Sequence, residues 1–238
     1  MKTDELKYTE VSVRGVNLKL VTYTRSLELC ARMNYETENL DFIDQIKPAD
    51  ILYDLGACEG RFSIYAAKKG VKVFSFEPEK KNFLAFTQNI HLNNLGEIVI
   101  AINAGVGSKN GKAVMQIGQP WEGGHQKVVD HGQVRNDLNF TFVESQQIDV
   151  LSLDSYVEKN PFPNYLKIDI DGSEIPFLDG ASKTLDSREL RGIIFELNEM
   201  DRNFSRIEDT LKSKGFSEQS RYKVPNENNL YNIIYLRD

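Results

Sequence analysis

ILYDLGACEG at residues 51–60 and KVFSFEP at residues 72–78 are the two stretches that decide the fold. The first begins as a short apolar strand and runs into a turn that contains Gly56 and Gly60, after which we predict a helix over residues 60–69. The second is another short strand, and it ends on the acid Glu77. A strand, a glycine turn, a helix and a second strand ending on an acid are typical of an α/β unit that binds a nucleoside.

The chemistry of these residues indicates which kind of nucleoside binds. Glycine lets a ligand approach the backbone, and Glu77, about 20 residues further on, can accept two hydrogen bonds from a ribose diol. A dinucleotide-binding turn has the pattern G-x-G-x-x-G, whereas this turn has Gly56 and Gly60 alone. Asp54 and Glu59 would also repel a pyrophosphate. We therefore predict S-adenosylmethionine, which carries positive charge and a ribose but no phosphate.

The alternative interpretation of these motifs is structural. In that case Asp54 and Glu77 are solvated strand ends and the glycines are ordinary turn residues, because short glycine motifs often occur by chance. The order of the two motifs, joined by a predicted helix, favours the functional interpretation.

Composition and charge limit the class of protein. The 238 residues suffice for one α/β core, and we predict a single domain over residues 1–238. The formal net charge of −6 disfavours nucleic acid as a partner. Cys30 and Cys58 have neither metal-ligand spacing nor the context of a disulfide framework. No membrane span or secretory signal is recognisable, so we predict a cytoplasmic protein.

The remaining chain is predicted to alternate between strands and helices. Residues 1–48 form an N-terminal cap, with a β-hairpin within residues 8–24 and a helix at residues 36–47. The alternation predicts parallel strands joined by right-handed crossovers, followed by a C-terminal hairpin whose last strand lies at the edge. The further strands are expected at residues 71–77, 97–103, 165–170, 192–197, from 216, and 232–236, and the further helices at 79–93, 152–158, 173–184 and 203–214.

Residues 105–147 break this rhythm with repeated glycines and short β-like runs, one of them at residues 140–143, so we predict a β-rich insertion. Trp121, His125 and His131 lie among the glycines, and an aromatic face suits a sugar. The insertion is therefore the candidate lid over the methyl acceptor. The alternative is a surface hairpin with Trp121 packed inward and both histidines solvated or structural.

A second cluster of charged residues lies in LKIDIDGSE at residues 166–174. The strand period of two puts Lys167, Asp169 and Asp171 on one face, and charges in a central parallel strand are costly unless they are paired or functional. Carboxyl ends of parallel strands form the ligand crevice, where we expect Asp169 and Asp171 to meet Glu196 and Asn198.

We predict that Asp169, Lys167 and Glu196 are the catalytic residues. Asp169 is the candidate base or acceptor-orienting group, and Lys167 either has a lowered pKa or is its counter-ion. A purely structural pair of Lys167 and Asp169 is the alternative. Asp169, Glu196 and Asn198 suit a divalent metal, but water and substrate hydroxyls can bridge them equally well, and the predicted site contains no metal.

Together these motifs resemble the FkbM-type family of class I S-adenosylmethionine-dependent methyltransferases. The resemblance covers about residues 35–200 and rests on DLGACEG at 54–60, FEP at 76–78, LKIDIDGSE at 166–174 and IIFEL at 193–197. It implies an α/β, Rossmann-like sheet of seven strands with the last antiparallel and helices on both faces. It also implies methyl transfer, usually to a hydroxyl of a sugar, glycan precursor or natural product.

The same resemblance implies which residues bind the cofactor. Asn103 and Ala104 correspond to positions that contact adenine in the family. Cys58 and Glu59 depart from the family pattern, which commonly has asparagine and then a small or apolar residue. The complete predicted cofactor site is Asp54, Gly56, Ala57, Gly60, Glu77, Pro78, Asn103 and Ala104.

Two other classes of function remain open from the sequence. IDIDGS at residues 168–173 imitates the nucleophile motif of haloacid-dehalogenase-type phosphatases, although three strand–helix units precede it and Glu77 would have no role. A catalytically silent module that binds a nucleoside is the other alternative.

Overall fold

The protein is described by a computed structural model that covers residues 6–125, 127–130, 141–225 and 227–237. Two parts of the predicted insertion lie outside these described residues, namely His131 and Phe140, the first residue of the β-like run at residues 140–143. The strands are β1 (Tyr8–Val13), β2 (Val16–Val21), β3 (Ile51–Leu55), β4 (Lys72–Phe76), β5 (Val99–Ile102), β6 (Gly105–Val106), β7 (Gly111–Ile117), β8 (Lys127–Asp130), β9 (Glu144–Leu151), β10 (Tyr165–Ile168), β11 (Gly192–Asn198), β12 (Phe216–Lys223) and β13 (Leu230–Arg237). The helices are α1 (Arg25–Cys30), α2 (Thr37–Asp44), α3 (Arg61–Lys68), α4 (Lys80–Leu92), α5 (Leu153–Val157), α6 (Glu174–Gly180), α7 (Ser182–Asp186) and α8 (Phe204–Ser213).

The central sheet has seven strands in the order β12-β13-β11-β10-β3-β4-β5. Strands β5, β4, β3, β10 and β11 are parallel, and β13 runs antiparallel to β11. One apolar core lies between the sheet and α2, α3 and α4, and a second lies between the sheet and α5 to α8. The predicted Rossmann-like sheet, with its last strand antiparallel and helices on both faces, is confirmed.

The prediction that the last strand lies at the edge is wrong. β13 lies between β11 and β12, so β12 is the edge strand. The burial of these strands gives the physical reason: residues 232–235 of β13 are buried, whereas β12 is largely polar and accessible. A polar, accessible strand is the one that tolerates a free edge.

Two helical segments also differ from the prediction. The predicted helix at residues 173–184 is divided into α6 and α7 at Ala181. A Cβ on Gly180 would lie 2.0 Å from the Gly107 carbonyl oxygen, so the chain packs closely against the insertion here. Helix α1 was not predicted, because a helix of only six residues carries little periodic pattern. At its N-terminus the Thr24 side chain accepts a hydrogen bond from the Leu27 N–H and so caps the helix.

The N-terminal hairpin of β1 and β2 is fixed to α4 by two asparagine side chains. Asn93 accepts a hydrogen bond from the Lys19 N–H at 3.0 Å and donates one to the Lys19 carbonyl at 2.6 Å. Asn89 accepts from the Val21 N–H at 2.8 Å and donates to the Glu59 carbonyl at 2.8 Å. Helix α4 therefore connects the hairpin to the turn that follows β3.

The insertion forms a separate four-stranded sheet in the order β6-β9-β7-β8. Its last strand, β9, runs to Leu151 and so extends past the predicted boundary at residue 147. The division of residues 1–238 into one domain with an N-terminal cap and an insertion remains a prediction. Across the part of the chain that the structure describes, every helix is too short or too polar to cross a lipid bilayer.

Candidate active site

An open cleft lies at the carboxyl ends of β3, β4 and β10, and its space of about 640 Å³ includes solvent at the mouth. One end is formed by Glu77 and Pro78 after β4, and the other by Asp169 and Asp171 after β10. The insertion closes one side with residues of β7, β8 and the segment before β8. Besides these two ends, the residues that line the cleft are Gly56, Cys58, Phe76, Ala104, Gly105, Val106, Met115, Gly124, His125, Lys127, Val129, Ile170 and Ser173.

The two glycines of the turn allow close packing within the protein. Gly56 has a φ of +84°, and a Cβ there would lie 1.7 Å from the Asp169 carbonyl oxygen. Gly60 has a φ of +81°, and its Cβ would lie 1.9 Å from the Phe86 ring. Gly56 thereby brings the end of β10 against the turn, and of the two glycines only Gly56 lines the cleft.

Glu77 lies at the end of β4 and is buried. Its two carboxylate oxygens each accept a backbone hydrogen bond, from the Cys58 N–H at 2.8 Å and from the Glu79 N–H at 2.9 Å. Burial raises the pKa of Glu77 to about 8, although Lys127 and the two N–H groups pull it down. Because each oxygen has two lone pairs, the carboxylate can still accept hydroxyl donors from the cleft.

The other residues predicted to bind the cofactor divide into two groups. Pro78 and Ala104 line the cleft together with Gly56 and Glu77. Asn103 is exposed, and its side chain donates to the carbonyls of Glu77 at 2.8 Å and Pro78 at 3.2 Å. The residues that do not line the cleft are Asp54, Ala57, Gly60 and Asn103.

Asp54 lies beneath the turn, where it is paired with Lys167. Its Oδ2 accepts a hydrogen bond from Ser63 at 2.5 Å, and its Oδ1 lies 3.4 Å from the Lys167 ammonium. The same ammonium lies 3.5 Å from Asp169 Oδ2. Burial alone would lower the pKa of Lys167, but Asp54 and Asp169 raise it above its ordinary value. Lys167 is therefore a charged counter-ion, and its lowered-pKa alternative is wrong.

Glu196 lies on β11, in the strand next to β10. Burial, together with Asp169, Glu36 and Asp171, raises the pKa of Glu196 well above its usual range, although Lys167 opposes them. Glu196 does not line the cleft itself, whereas Asp169 lines it and has Lys167 as a charged partner. Within the described ranges, no three histidine, cysteine, aspartate or glutamate side chains are grouped as metal ligands.

Sequence reasoning missed a buried ion cluster formed by Glu59, Arg61 and Glu36. The Arg61 guanidinium donates to Glu59 at 2.8 Å and to Glu36 at 2.7 Å, and it lies between the rings of Tyr35 and Phe62. Burial would raise the pKa of Glu59, but Arg61 overcomes this effect and lowers the pKa to about 2. Glu59 thus joins the turn to the N-terminal cap and has a structural role.

Cys58 lines the cleft in an unusual backbone conformation. Its φ of +52° lies in the left-handed region, which asparagine tolerates better than most residues. The Asn82 side chain donates to the Cys58 sulfur at 3.2 Å and to the Gly124 carbonyl at 3.3 Å, and accepts from the Gly123 N–H at 2.8 Å. Asn82, which the sequence analysis also did not single out, therefore links the turn to the insertion.

The residues of the predicted acceptor lid lie in different places. His125 lines the cleft. Trp121 is 42% exposed, does not line the cleft, and donates a hydrogen bond to Ser26 at 2.9 Å, so it is not packed inward. His131 lies outside the described residues, and the lid role of the insertion remains a prediction.

Comparisons with known proteins agree on the kind of fold and family. A family model described as "Methyltransferase FkbM domain" matches residues 54–218. A protein of Haloferax volcanii, "Hexuronic acid methyltransferase AglP", is 27% identical over 147 residues, which is 61% of this chain and 55% of the relative. The chain thus matches about half the length of that relative.

Solved structures show the same fold at low sequence identity. Precorrin-6y C5,15-methyltransferase from Geobacter metallireducens has a TM-score of 0.51 and 11% identity, with 99% of this chain and 94% of that chain covered. The METTL16 MTase domain has a TM-score of 0.50 and 13% identity, with 87% and 67% covered. At these identities the likeness concerns the fold alone.

Proposed function

The chain belongs to the FkbM methyltransferase family, and from this premise we propose that it transfers a methyl group from S-adenosylmethionine to a hydroxyl of a sugar, glycan precursor or natural product. The observation that carries the proposal is that Glu77 and Asp169 line the same cleft. The family match also includes residues 168–173, so this stretch belongs to a methyltransferase domain and the phosphatase alternative has no support.

The lining of the cleft suits S-adenosylmethionine in its chemistry. Glu77 would hold the ribose hydroxyls, while Gly56, Pro78 and Ala104 would supply the surrounding surface. Asp169 and Asp171 make the opposite end acidic, which favours a ligand that carries positive charge. When bound, S-adenosylmethionine supplies an activated methyl group on a positively charged sulfur.

We propose that Asp169 and Glu196 handle the methyl acceptor. Asp169 lines the cleft, its side chain is 36% accessible, and Lys167 holds one of its oxygens. That geometry leaves Asp169 able to orient the acceptor hydroxyl and to accept its proton. Glu196, on the neighbouring strand β11, would hydrogen-bond another hydroxyl of the acceptor. Positioning by these groups would lower the barrier further.

The charges around the cleft indicate an uncharged acceptor. Asp169 and Asp171 line the cleft, while the neighbouring cations Lys167 and Arg61 are already paired with buried carboxylates. Among the described residues, the cleft-lining cation Lys127 is paired with Glu79, so a carboxylate acceptor at the other end would lie near the carboxylate of Asp169. Although the name of the Haloferax relative refers to a hexuronic acid, we propose a neutral sugar hydroxyl for this chain.

We expect a gain of one methyl group on neutral glycosides, measured by mass spectrometry after incubation with S-adenosylmethionine. Acceptors should be tested in pairs that differ only at one carbon, such as a glucoside and the matching glucuronide. The methyl group should resist mild base, as an ether does. If only glucuronides gain a methyl group, and mild base removes it as it would from an ester, the proposed acceptor class is wrong. Cofactor binding without turnover on the whole panel would instead support the silent module.

A further inference from the structure

The insertion places a buried lysine at the cofactor end of the cleft. Lys127 lies on β8, paired with Ile117 of β7, and its side chain is only 6% exposed. Its ammonium lies 2.9 Å from Glu79 Oε2, and the residue lines the same cleft as Glu77. A buried charge at a ligand cleft requires a partner and a reason.

Lys127 is connected to Glu77 through Glu79. The Glu79 side chain caps α4 by accepting hydrogen bonds from the N–H groups of Lys81 at 2.9 Å and Asn82 at 2.8 Å. The Glu79 N–H in turn donates to Glu77 Oε1 at 2.9 Å. The ion pair with Lys127 therefore fixes the segment that supports the Glu77 carboxylate.

We propose that Lys127 is a positioning residue of the cofactor site, which keeps Glu77 ready to accept the two ribose hydroxyls. The proposal rests on the proposed function of the cleft. It also assigns the insertion a part in binding the methyl donor, in addition to the predicted part in covering the acceptor.

The charges that face Glu77 support this role. Cys58 faces it from the turn, Glu79 from α4, and Lys127 from β8. Burial favours the protonated form of Glu77, Glu79 adds to this effect, and Lys127 is the strongest group that opposes it. An ionised carboxylate accepts hydrogen bonds from both ribose hydroxyls and does so more strongly than a protonated one. Removal of Lys127 is therefore expected to weaken nucleoside binding most at those pH values at which Glu77 becomes protonated.

The test is the affinity for S-adenosylhomocysteine, measured by calorimetry between about pH 6.5 and about pH 9.5. This range extends roughly 1.5 pH units to either side of the pKa of Glu77. The wild type should bind more tightly as the pH rises through about 8. For Lys127→Met we expect about tenfold weaker binding at neutral pH and a higher pH midpoint, since one pKa unit corresponds to a factor of ten. Lys127→Arg keeps the charge and should restore both the affinity and the midpoint.

Lys112→Met is the matched control, because Lys112 lies in the same insertion sheet but pairs with Asp149 in an exposed ion pair. It should bind with the affinity and pH profile of the wild type. A folded Lys127→Met variant with an unchanged pH midpoint would overturn the proposal. If that variant does not fold, Lys127→Gln, which keeps a donor for Glu79, is measured against the same expectation. A wild type that does not bind at any pH would contradict the proposed function instead.

Discussion

Asp169→Asn is expected to reduce kcat by about a hundredfold or more, because a positioned base contributes about 10²–10⁴ in rate. The affinity for S-adenosylhomocysteine, which lacks the positive charge on sulfur, should change little. The asparagine retains the shape and the hydrogen-bonding reach of the side chain but cannot accept a proton. Lys167 keeps its second partner, Asp54, at 3.4 Å, so the buried lysine stays paired and the fold persists. Turnover and S-adenosylhomocysteine affinity should be measured on the same preparation.

Asp179→Asn is the control for this experiment, because Asp179 on α6 forms an exposed ion pair with Arg206 on α8 and does not line the cleft. It should retain wild-type turnover. Wild-type turnover in Asp169→Asn would remove Asp169 from the role of base.

Arg61→Met is expected to lower the free energy of unfolding by about 3–5 kcal/mol, the usual cost of breaking a buried ion pair by removing one partner. Arg61 is buried, and its loss removes the ion-pair partner of both Glu59 and Glu36. Burial then raises the pKa of Glu59, which lies only 3% exposed. Urea unfolding at neutral pH measures the change.

Arg206→Met is the matched control, since the side chains of Arg206 and Asp179 are both more than half exposed. It should change the free energy of unfolding by less than about 1 kcal/mol. Glu59→Gln combined with Arg61→Met should recover part of the loss, because one of the two unpaired carboxylates is then neutral. Equal stabilities of Arg61→Met and Arg206→Met would show that the Glu59–Arg61–Glu36 cluster does not stabilise the fold.

The regular part of the fold was predictable from local pattern. Strand β3 was predicted with its bounds, and α3 and β4 within about one residue, because each is a short apolar or amphipathic run bounded by glycine, proline or charge. The position of β13 was not predictable in this way. Whether a C-terminal strand lies at an edge or between two strands depends on pairings with distant residues, and the sequence carries no local signal for them.

The candidate site was predictable where it lies at strand ends and unpredictable where it depends on tertiary contacts. Glu77 and Asp169 line the cleft because carboxyl ends of parallel strands meet at one edge of the sheet. Asp54 instead lies within β3, paired in register with Lys167 of β10, so it is buried beneath the turn rather than at the strand end. The pairing of Lys127 with Glu79 joins residues 48 positions apart, so no spacing rule indicates it.

The most direct test of the account is the melting temperature of the wild type with increasing S-adenosylmethionine or S-adenosylhomocysteine, beside Glu77→Ala and the exposed control Glu97→Ala. A ligand that binds the native state must raise the melting temperature. The account predicts a saturable rise for the wild type and for Glu97→Ala, and a much smaller rise for a folded Glu77→Ala. No rise for folded wild-type protein at millimolar ligand would contradict it.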